Sequence, residues 1–99
     1  MINKSSYING GWINCEGLNT FAVVNPANQS CVAEVASASS ADAVLAVDAA
    51  EQALPAWRAK TAKQRADVLM LWFKLIVKNS HQLAELLTAE QGKPLAEAK

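Results

Sequence analysis

The stretch that decides the fold is TAKQRADVLMLWFKLIVK, residues 61–78 of a 99-residue chain. Thr61 and Gln64, three residues apart, form a capping box, which predicts a helix that begins here and runs to about Lys78. A surface helix needs an apolar arc of only about 100° or somewhat more, but here apolar side chains cover nearly everything outside one narrow polar stripe. The sequence therefore predicts that a second surface covers this helix. The stripe consists of Lys63, Asp67, Lys74 and Lys78.

The chain before this helix predicts two β-hairpins, of which the first is SYINGGWI, residues 6–13. Asn9 and Gly10 supply the positive φ angles that a tight turn between two short strands requires. A loop is expected next, at residues 15–19. A two-stranded hairpin is marginal in water by itself, so this one is expected to lie against another element.

The second predicted hairpin has strands at residues 21–24 and 31–35. The sequence NPAN, residues 25–28, lies between them and is typical of a turn. Its proline presets φ, and its asparagines tolerate turn conformations.

A first helix is predicted between the hairpins and residues 61–78. Ser39 with Asp42 three residues later is a weaker form of the capping box, and the helix is expected to run to about Ala53. Pro55 and Trp57 are then expected to occupy the connection to the next helix.

The chain after residue 78 predicts one complete helix and the beginning of another. Asn79, with Gln82 three residues later, is expected to cap the third helix, which ends at Gly92 in the C′ position. A fourth helix then begins at Pro94 and has no terminator before Lys99. With the wide apolar arc of residues 61–78, this pattern favours the first part of a larger protein over a chain that covers the helix by self-association.

The composition excludes several classes of partner. Nine basic and nine acidic residues leave no net charge, so neither nucleic acid nor an anionic membrane surface is expected to bind. The longest apolar run, residues 68–73, is far shorter than the roughly 20 residues of a membrane span. The sequence begins MINKSSYING, which has no signal-peptide core, so a cytoplasmic location is expected.

No catalytic constellation is apparent among the nucleophilic and basic residues. Cys15 and Cys31 are interpreted as packing residues, because no export signal favours a disulfide and no CxxC spacing favours zinc. The single histidine, His81, follows a helix cap and is expected to face solvent. Neither of the glycine-rich phosphate-binding motifs, GxGxxG and the P-loop, occurs.

Glu90 is the one charged residue whose position is unusual. Leu83, Leu87 and Glu90 follow helical spacing, so the carboxylate continues an apolar stripe. Burying a carboxylate is unfavourable unless it is paired or coordinated. Two interpretations stay open: Glu90 reaches water or Lys93 at the end of the helix, or it makes a polar or cation contact with another segment.

Five blocks in order closely resemble the amino-terminal segment of the aldehyde dehydrogenase superfamily: YINGGWI, TFAVVNPANQSCVAEV, ASSADAVLAVDAAEQALPAWRAK, RADVLMLWFKLI and LAELLTAEQGKPLAEAK. The resemblance covers residues 7–99. Its most distinctive part, EQGKPLAEAK, is most similar to the succinate-semialdehyde dehydrogenase branch.

The resemblance implies an α/β fold in which residues 1–99 form the first part of an NAD(P)-binding domain, with hairpin 6–13 near the oligomerisation arm. It implies oxidation of an aldehyde, here succinate semialdehyde, to the acid by a Cys thiolate, NAD or NADP, and a Glu-activated water. The parent enzyme would be a homo-oligomer, either a dimer or a tetramer. No catalytic or cofactor-binding residue of the family falls within residues 1–99, so the segment by itself is expected to be inactive and not to bind the dinucleotide.

Some relatives hold a structural monovalent cation, and the resemblance extends that site to this chain. Its ligands would be the backbone carbonyl of Val23 or Val24, just before NPA, and the acidic Glu90, just before QGK.

The rival hypothesis, from a different class, is a free-standing interaction or scaffold domain that self-associates through residues 61–78. A third is an inert product of a truncated gene. Reading the frame past codon 99, or the intact mass of the native protein, distinguishes these hypotheses.

Overall fold

The structure, a computed structural model, describes residues 4–13 and 19–99, so the predicted loop at 15–19 lies outside it except for Asn19. Within those ranges the architecture is α/β, with two antiparallel hairpins followed by three helices and a short fourth, as predicted. The elements are β1 (Ser6–Ile8), β2 (Gly11–Ile13), β3 (Thr20–Val24), β4 (Cys31–Ala36), α1 (Ser40–Ala59), α2 (Ala62–Lys78), α3 (Ser80–Gln91) and α4 (Leu95–Ala98).

The chain divides into two compact units. The first comprises the described residues of Met1–Val23 with Ala33–Ala59, and the second comprises Val24–Val32 with Lys60–Lys99. The first unit thus holds the β1–β2 hairpin and α1, whereas the second holds the turn between β3 and β4 together with α2, α3 and α4.

The β1–β2 hairpin forms as predicted. Its turn residues have positive φ, 53° at Asn9 and 76° at Gly10, which matches the twist of the flanking strands. Tyr7 lies opposite Trp12 in the antiparallel register, and their rings meet edge to face with centroids 5.1 Å apart. This aromatic pair stabilises one face of the hairpin.

The NPAN turn also forms, as predicted. The positive φ falls on Gln29, at 61°, while both asparagine side chains act as hydrogen-bond acceptors. Asn25 Oδ1 accepts from the Ala27 N–H at 2.9 Å, and Asn28 Oδ1 accepts from the Ser30 N–H at 3.0 Å. Such local side-chain bonds are the usual reason that asparagine favours turns.

The predicted start of α1 is confirmed. The Asp42 N–H donates to Ser39 Oγ at 3.2 Å, and the Ser39 N–H donates to Asp42 Oδ2 at 2.9 Å. The helix begins at Ser40 with these two reciprocal bonds.

The predicted end of α1 near Ala53 is wrong, because the helix continues through Pro55 and Trp57 to Ala59. Proline removes one helical hydrogen bond, the one that the carbonyl of Glu51 would accept. Glu51 is exposed, so that carbonyl lies where water can reach it. The proline therefore interrupts the ladder of hydrogen bonds without ending the helix.

α2 begins and ends as predicted. The Gln64 N–H donates to Thr61 Oγ1 at 3.2 Å, and the Thr61 N–H donates to Gln64 Oε1 at 2.9 Å, which completes the capping box. On the polar stripe, Lys63 Nζ lies 3.8 Å from Asp67 Oδ2, and both side chains are exposed.

Asn79 occupies the N-cap position of α3 but does not cap it with its side chain, contrary to the prediction that it acts with Gln82. Its Nδ2 instead donates to the Leu75 carbonyl at 2.8 Å. The Asn79 N–H also donates to the Leu75 carbonyl, at 3.1 Å. Because a single residue separates α2 from α3, the side chain can serve only one helix end, and here it adds a second donor to a carbonyl in the last turn of α2.

α3 ends at Gly92, as predicted. Gly92 has φ 75°, and its N–H donates to the Thr88 carbonyl at 2.8 Å. A Cβ built at this glycine would lie 3.0 Å from Pro26 Cγ, so both the backbone angle and a close neighbour favour glycine. Pro94 is the N-cap of α4 and the first helical residue is Leu95, one position later than predicted.

Candidate functional site

α2 carries the largest exposed apolar surface among the described residues. Only Ala84 of α3, 1% exposed, counts as buried apolar core in that part of the chain. By contrast, nine large side chains of α2 are between 42% and 63% exposed. We call these nine residues the α2 apolar surface: Val68, Leu69, Met70, Leu71, Trp72, Phe73, Leu75, Ile76 and Val77.

The α2 apolar surface extends around most of the helix. Leu71 and Phe73, two residues apart, project on nearly opposite sides of the axis and are 63% and 58% exposed. At 3.6 residues per turn, the apolar positions of α2 cover roughly 260° of its circumference. A helix that is apolar nearly all round is typical of a protein interior. None of the described helices is both long enough and apolar enough to cross a bilayer.

A second feature is a cavity of about 310 Å³ in the unit that contains α3. It is lined by residues of the NPAN turn, of α3, and of the corner that follows α3. Within the described part of the chain, the buried Thr88 Oγ1 has no hydrogen-bond partner. The sequence prediction missed Thr88, although it lies one helical turn after the buried Ala84 and one turn before Gly92. The lining residues are Asn25, Ala27, Glu85, Thr88, Ala89, Gly92 and Leu95.

The residues predicted to hold a cation occupy two elements. Val23 is half-buried and Val24 is exposed, both on β3, while Glu90 is exposed in the last turn of α3. The described ranges contain no group of three His, Cys, Asp or Glu side chains that could hold a metal ion. The predicted cation site does not require such a group, because its ligands would be one carboxylate and backbone carbonyls. The cation site stays a prediction.

The residues with nucleophilic or basic side chains do not form a reactive set in the part of the chain that the structure describes. Cys31 is a free, exposed thiol at the start of β4, so its interpretation as a packing residue stays a prediction; Cys15 lies outside the described residues. His81 is exposed, as predicted, and its Nε2 lies 3.1 Å from Glu85 Oε1. This histidine is paired with the next turn of its own helix, as an ordinary surface residue is.

The comparisons with known proteins agree on one family. The family model described as the aldehyde dehydrogenase family matches residues 12–99. The chain is 46% identical to a glutarate-semialdehyde dehydrogenase of Pseudomonas putida, over 100% of this chain and 21% of that protein. It is 44% identical to the NADP(+) succinate-semialdehyde dehydrogenase GabD of Escherichia coli K12, over 100% of this chain and 20% of that protein.

The fold is similar as well. A crystal structure of succinate-semialdehyde dehydrogenase from Burkholderia pseudomallei superposes with a TM-score of 0.91 at 44% identity, covering 97% of this chain and 20% of that one. The architecture of two hairpins and the helices that follow is thus the N-terminal part of that fold. The chain spans about a fifth of the length of the curated relatives it matches.

Proposed function

The chain belongs to the aldehyde dehydrogenase family, and we propose that it forms the N-terminal part of a cytoplasmic, homo-oligomeric enzyme that oxidises succinate semialdehyde to the acid with NAD or NADP. The observation that carries the proposal is the 44% identity to GabD over all 99 residues. Identity over the whole segment is expected of an enzyme with the same architecture, and GabD is named for this substrate and for NADP(+).

In this proposal residues 1–99 support the enzyme without carrying its chemistry. An aldehyde-oxidising thiol needs a base or a lowered pKa to become nucleophilic. Cys31 is exposed on β4, and within the described ranges His81 is paired with Glu85. The isolated segment is therefore expected to show no turnover and no dinucleotide binding. Hairpin 6–13 would lie near the oligomerisation arm.

The proposal retains a structural monovalent cation held by the carbonyl of Val23 or Val24 and by Glu90. Both β3 and the last turn of α3 offer oxygen ligands of the kind that hard cations prefer. The exposure of Glu90 in this structure leaves its carboxylate accessible to a cation or to another segment of the enzyme.

The test is a covalent chimera in which residues 1–99 replace the aligned segment of GabD. We expect the chimera to oxidise succinate semialdehyde, and reduced dinucleotide is measured by absorbance with NAD and with NADP in turn. GabD without the aligned segment, and the 99-residue chain by itself, serve as controls and should be inactive. A folded chimera that does not act on the aldehyde would contradict the proposal that residues 1–99 form the N-terminal part of such an enzyme.

Glutarate semialdehyde is the second candidate substrate, because the Pseudomonas putida relative is 46% identical and is named for it. In the GabD chimera, substrate preference reports on the rest of that enzyme. Comparing the two aldehydes therefore requires the native parent enzyme, and a higher kcat/KM with glutarate semialdehyde would favour this candidate.

A self-associating scaffold is the alternative of a different class, and the exposed α2 apolar surface is the observation that favours it. Size-exclusion chromatography with light scattering on the 99-residue chain gives the deciding measurement. A discrete homo-oligomer that unfolds in one sharp thermal transition would support the scaffold, whereas the enzyme fragment is expected to show no such transition.

A further inference from the structure

We infer that α2 is a chaperone-binding segment of the growing chain: a chaperone whose groove is apolar inside and acidic at its rim binds residues 68–77 in an extended conformation. The inference rests on the proposed function, since it takes the chain to be the N-terminal part of a much longer enzyme. It goes beyond that function, because the partner acts before the enzyme is complete.

The first step concerns the time for which α2 is exposed. The 99 residues correspond to 20% of GabD. In an enzyme of that length roughly 400 residues follow them, and synthesis at about 5–20 residues per second takes roughly 20–80 s. Chains of this size collapse within about 100 μs, so the wait is far longer than the time in which apolar segments find a partner.

The second step concerns what the segment can bury by itself during that time. In the described part of the chain, Ala84 is the one residue counted as buried apolar core. The nine side chains of the α2 apolar surface are between 42% and 63% exposed. Contiguous exposed apolar area of this kind favours association with whatever surface is available. Residues 1–99 therefore present α2 to a partner until the later residues have been made.

The third step gives the shape of the partner's site. A helix of 17 residues is only marginally stable in water without tertiary contacts, so residues 68–77 open readily to an extended chain. Nine of those ten residues are apolar. Because an extended chain places successive side chains on opposite faces, both faces of this stretch are apolar. A groove that encloses the backbone buries both faces and pairs the backbone N–H and C=O groups.

The fourth step gives the charge of the partner's rim. The whole chain has nine basic and nine acidic residues, but residues 61–78 contain four basic residues and a single acidic one, Asp67. Two of the four lie within or directly after the apolar stretch, and two precede it. An acidic rim attracts such a segment, whereas a basic rim repels it. The four basic residues are Lys63, Arg65, Lys74 and Lys78.

Two other occupants fit these observations less well. A second copy that packs its own α2 against this one buries only the arc that faces the partner, which leaves the opposite side in water. A helix that lies on a membrane surface has a large charged face, whereas the polar stripe of α2 is narrow.

The experiment uses the GabD chimera, synthesised in a reconstituted translation system with a purified heat-shock chaperone of the class that binds extended apolar peptides. One nascent chain is stalled once residues 1–99 have left the ribosome, and another is completed and released. Both carry a photo-crosslinking amino acid at position 76. We expect the stalled chain to crosslink to the chaperone, and the released chain to do so roughly tenfold less or lower still, because its apolar segments are folded away.

Two double variants test the groove and its rim separately. Leu71→Glu with Phe73→Glu should lower the crosslinking yield of the stalled chain roughly tenfold or more, because charges enter an apolar groove. Lys74→Glu with Lys78→Glu should lower it about threefold, because exposed charge pairs contribute modestly.

The matched control is Lys4→Glu with Lys93→Glu, which makes the same change of net charge outside α2 and should leave the yield unchanged. The stalled chain does not have to fold in order to bind, so a lower yield in the other variants does not arise from loss of structure.

Each other outcome also decides the inference. A yield that the Leu71→Glu, Phe73→Glu variant leaves unchanged would overturn it, and a yield insensitive to Lys74→Glu with Lys78→Glu would overturn the acidic rim. Displacement of the chaperone by added anionic vesicles would make a membrane surface the occupant. A stalled chain that does not crosslink, beside an active released chimera, would overturn chaperone binding and leave the proposed function intact. Crosslinking of the stalled chain beside an inactive released chimera would support chaperone binding and contradict the proposed function.

Discussion

The corner after α3 and the α2 apolar surface belong to the same unit. The corner makes its hydrogen bond and its close contact within the chain, whereas the α2 apolar surface is left exposed. At the corner, the Gly92 N–H donates to the Thr88 carbonyl, and a Cβ at position 92 would make a tight contact with Pro26. On α2 the first turn is closed by the capping box of Thr61 and Gln64, yet the nine large apolar side chains that follow are exposed.

The difference separates two kinds of requirement. Caps and turns satisfy backbone hydrogen bonds with residues three to five positions away, so 99 residues are sufficient for them. Burial of a helix that is apolar on most sides needs surfaces from several distant elements. The segment therefore has complete local structure and an incomplete core.

The largest expected effect follows from that incomplete core. The 99-residue chain in isolation is expected to be molten, oligomeric or insoluble, because exposed apolar area drives association and little burial stabilises one packed state. Thermal unfolding followed by circular dichroism should show no sharp transition, and light scattering should show no single monomeric species.

The control for this prediction is the covalent GabD chimera, which should unfold cooperatively at the same protein concentration. A monodisperse 99-residue monomer with one sharp transition would show that the α2 apolar surface needs no cover. The segment would then have a sufficient core as well as complete local structure.

The next effect concerns the corner. Gly92→Ala in the chimera should destabilise the protein by roughly 1–3 kcal/mol, because alanine is strained at φ 75° and its Cβ would meet Pro26. The shift in the urea-unfolding midpoint of the chimera measures the loss. Adding Pro26→Ala should recover only the part due to the contact, and a Gly92→Ala chimera as stable as its parent would mean that the corner is not rigid.

Much of the fold is predictable from the sequence because its signals are local. Asn9 and Gly10 predict the first hairpin, Thr61 and Gln64 the start of α2, and Gly92 the end of α3, since each acts through its own backbone angle or through neighbours within a few residues. The exposed α2 surface is predictable from the composition of one helix.

The errors arise where two local rules compete or where the outcome depends on distant residues. Pro55 ordinarily disfavours a helix interior, but residues on both sides of it continue the helix. Asn79 can serve two helix ends and serves α2. For Glu90, spacing alone does not decide whether the carboxylate meets water or a partner, because that depends on surfaces outside the α3 helix.

A smaller effect is expected at the start of α2. Thr61→Ala in the chimera removes one side of the capping box and should destabilise the protein by about 1 kcal/mol. Thr61→Ser keeps the hydroxyl that accepts from the Gln64 N–H and should retain most of the stability. Equal losses for the two variants would indicate that the methyl group of Thr61, and not the cap, matters for stability.

The smallest effect tests the polar stripe. The ion pair between Lys63 and Asp67 is exposed and 3.8 Å long, and exposed pairs of this kind contribute less than about 0.5 kcal/mol. Lys63→Ala in the chimera should therefore leave the urea midpoint almost unchanged, at both low and high salt. A large loss would mean that the enzyme buries the stripe as well as the apolar surface. α2 would then be enclosed on all sides.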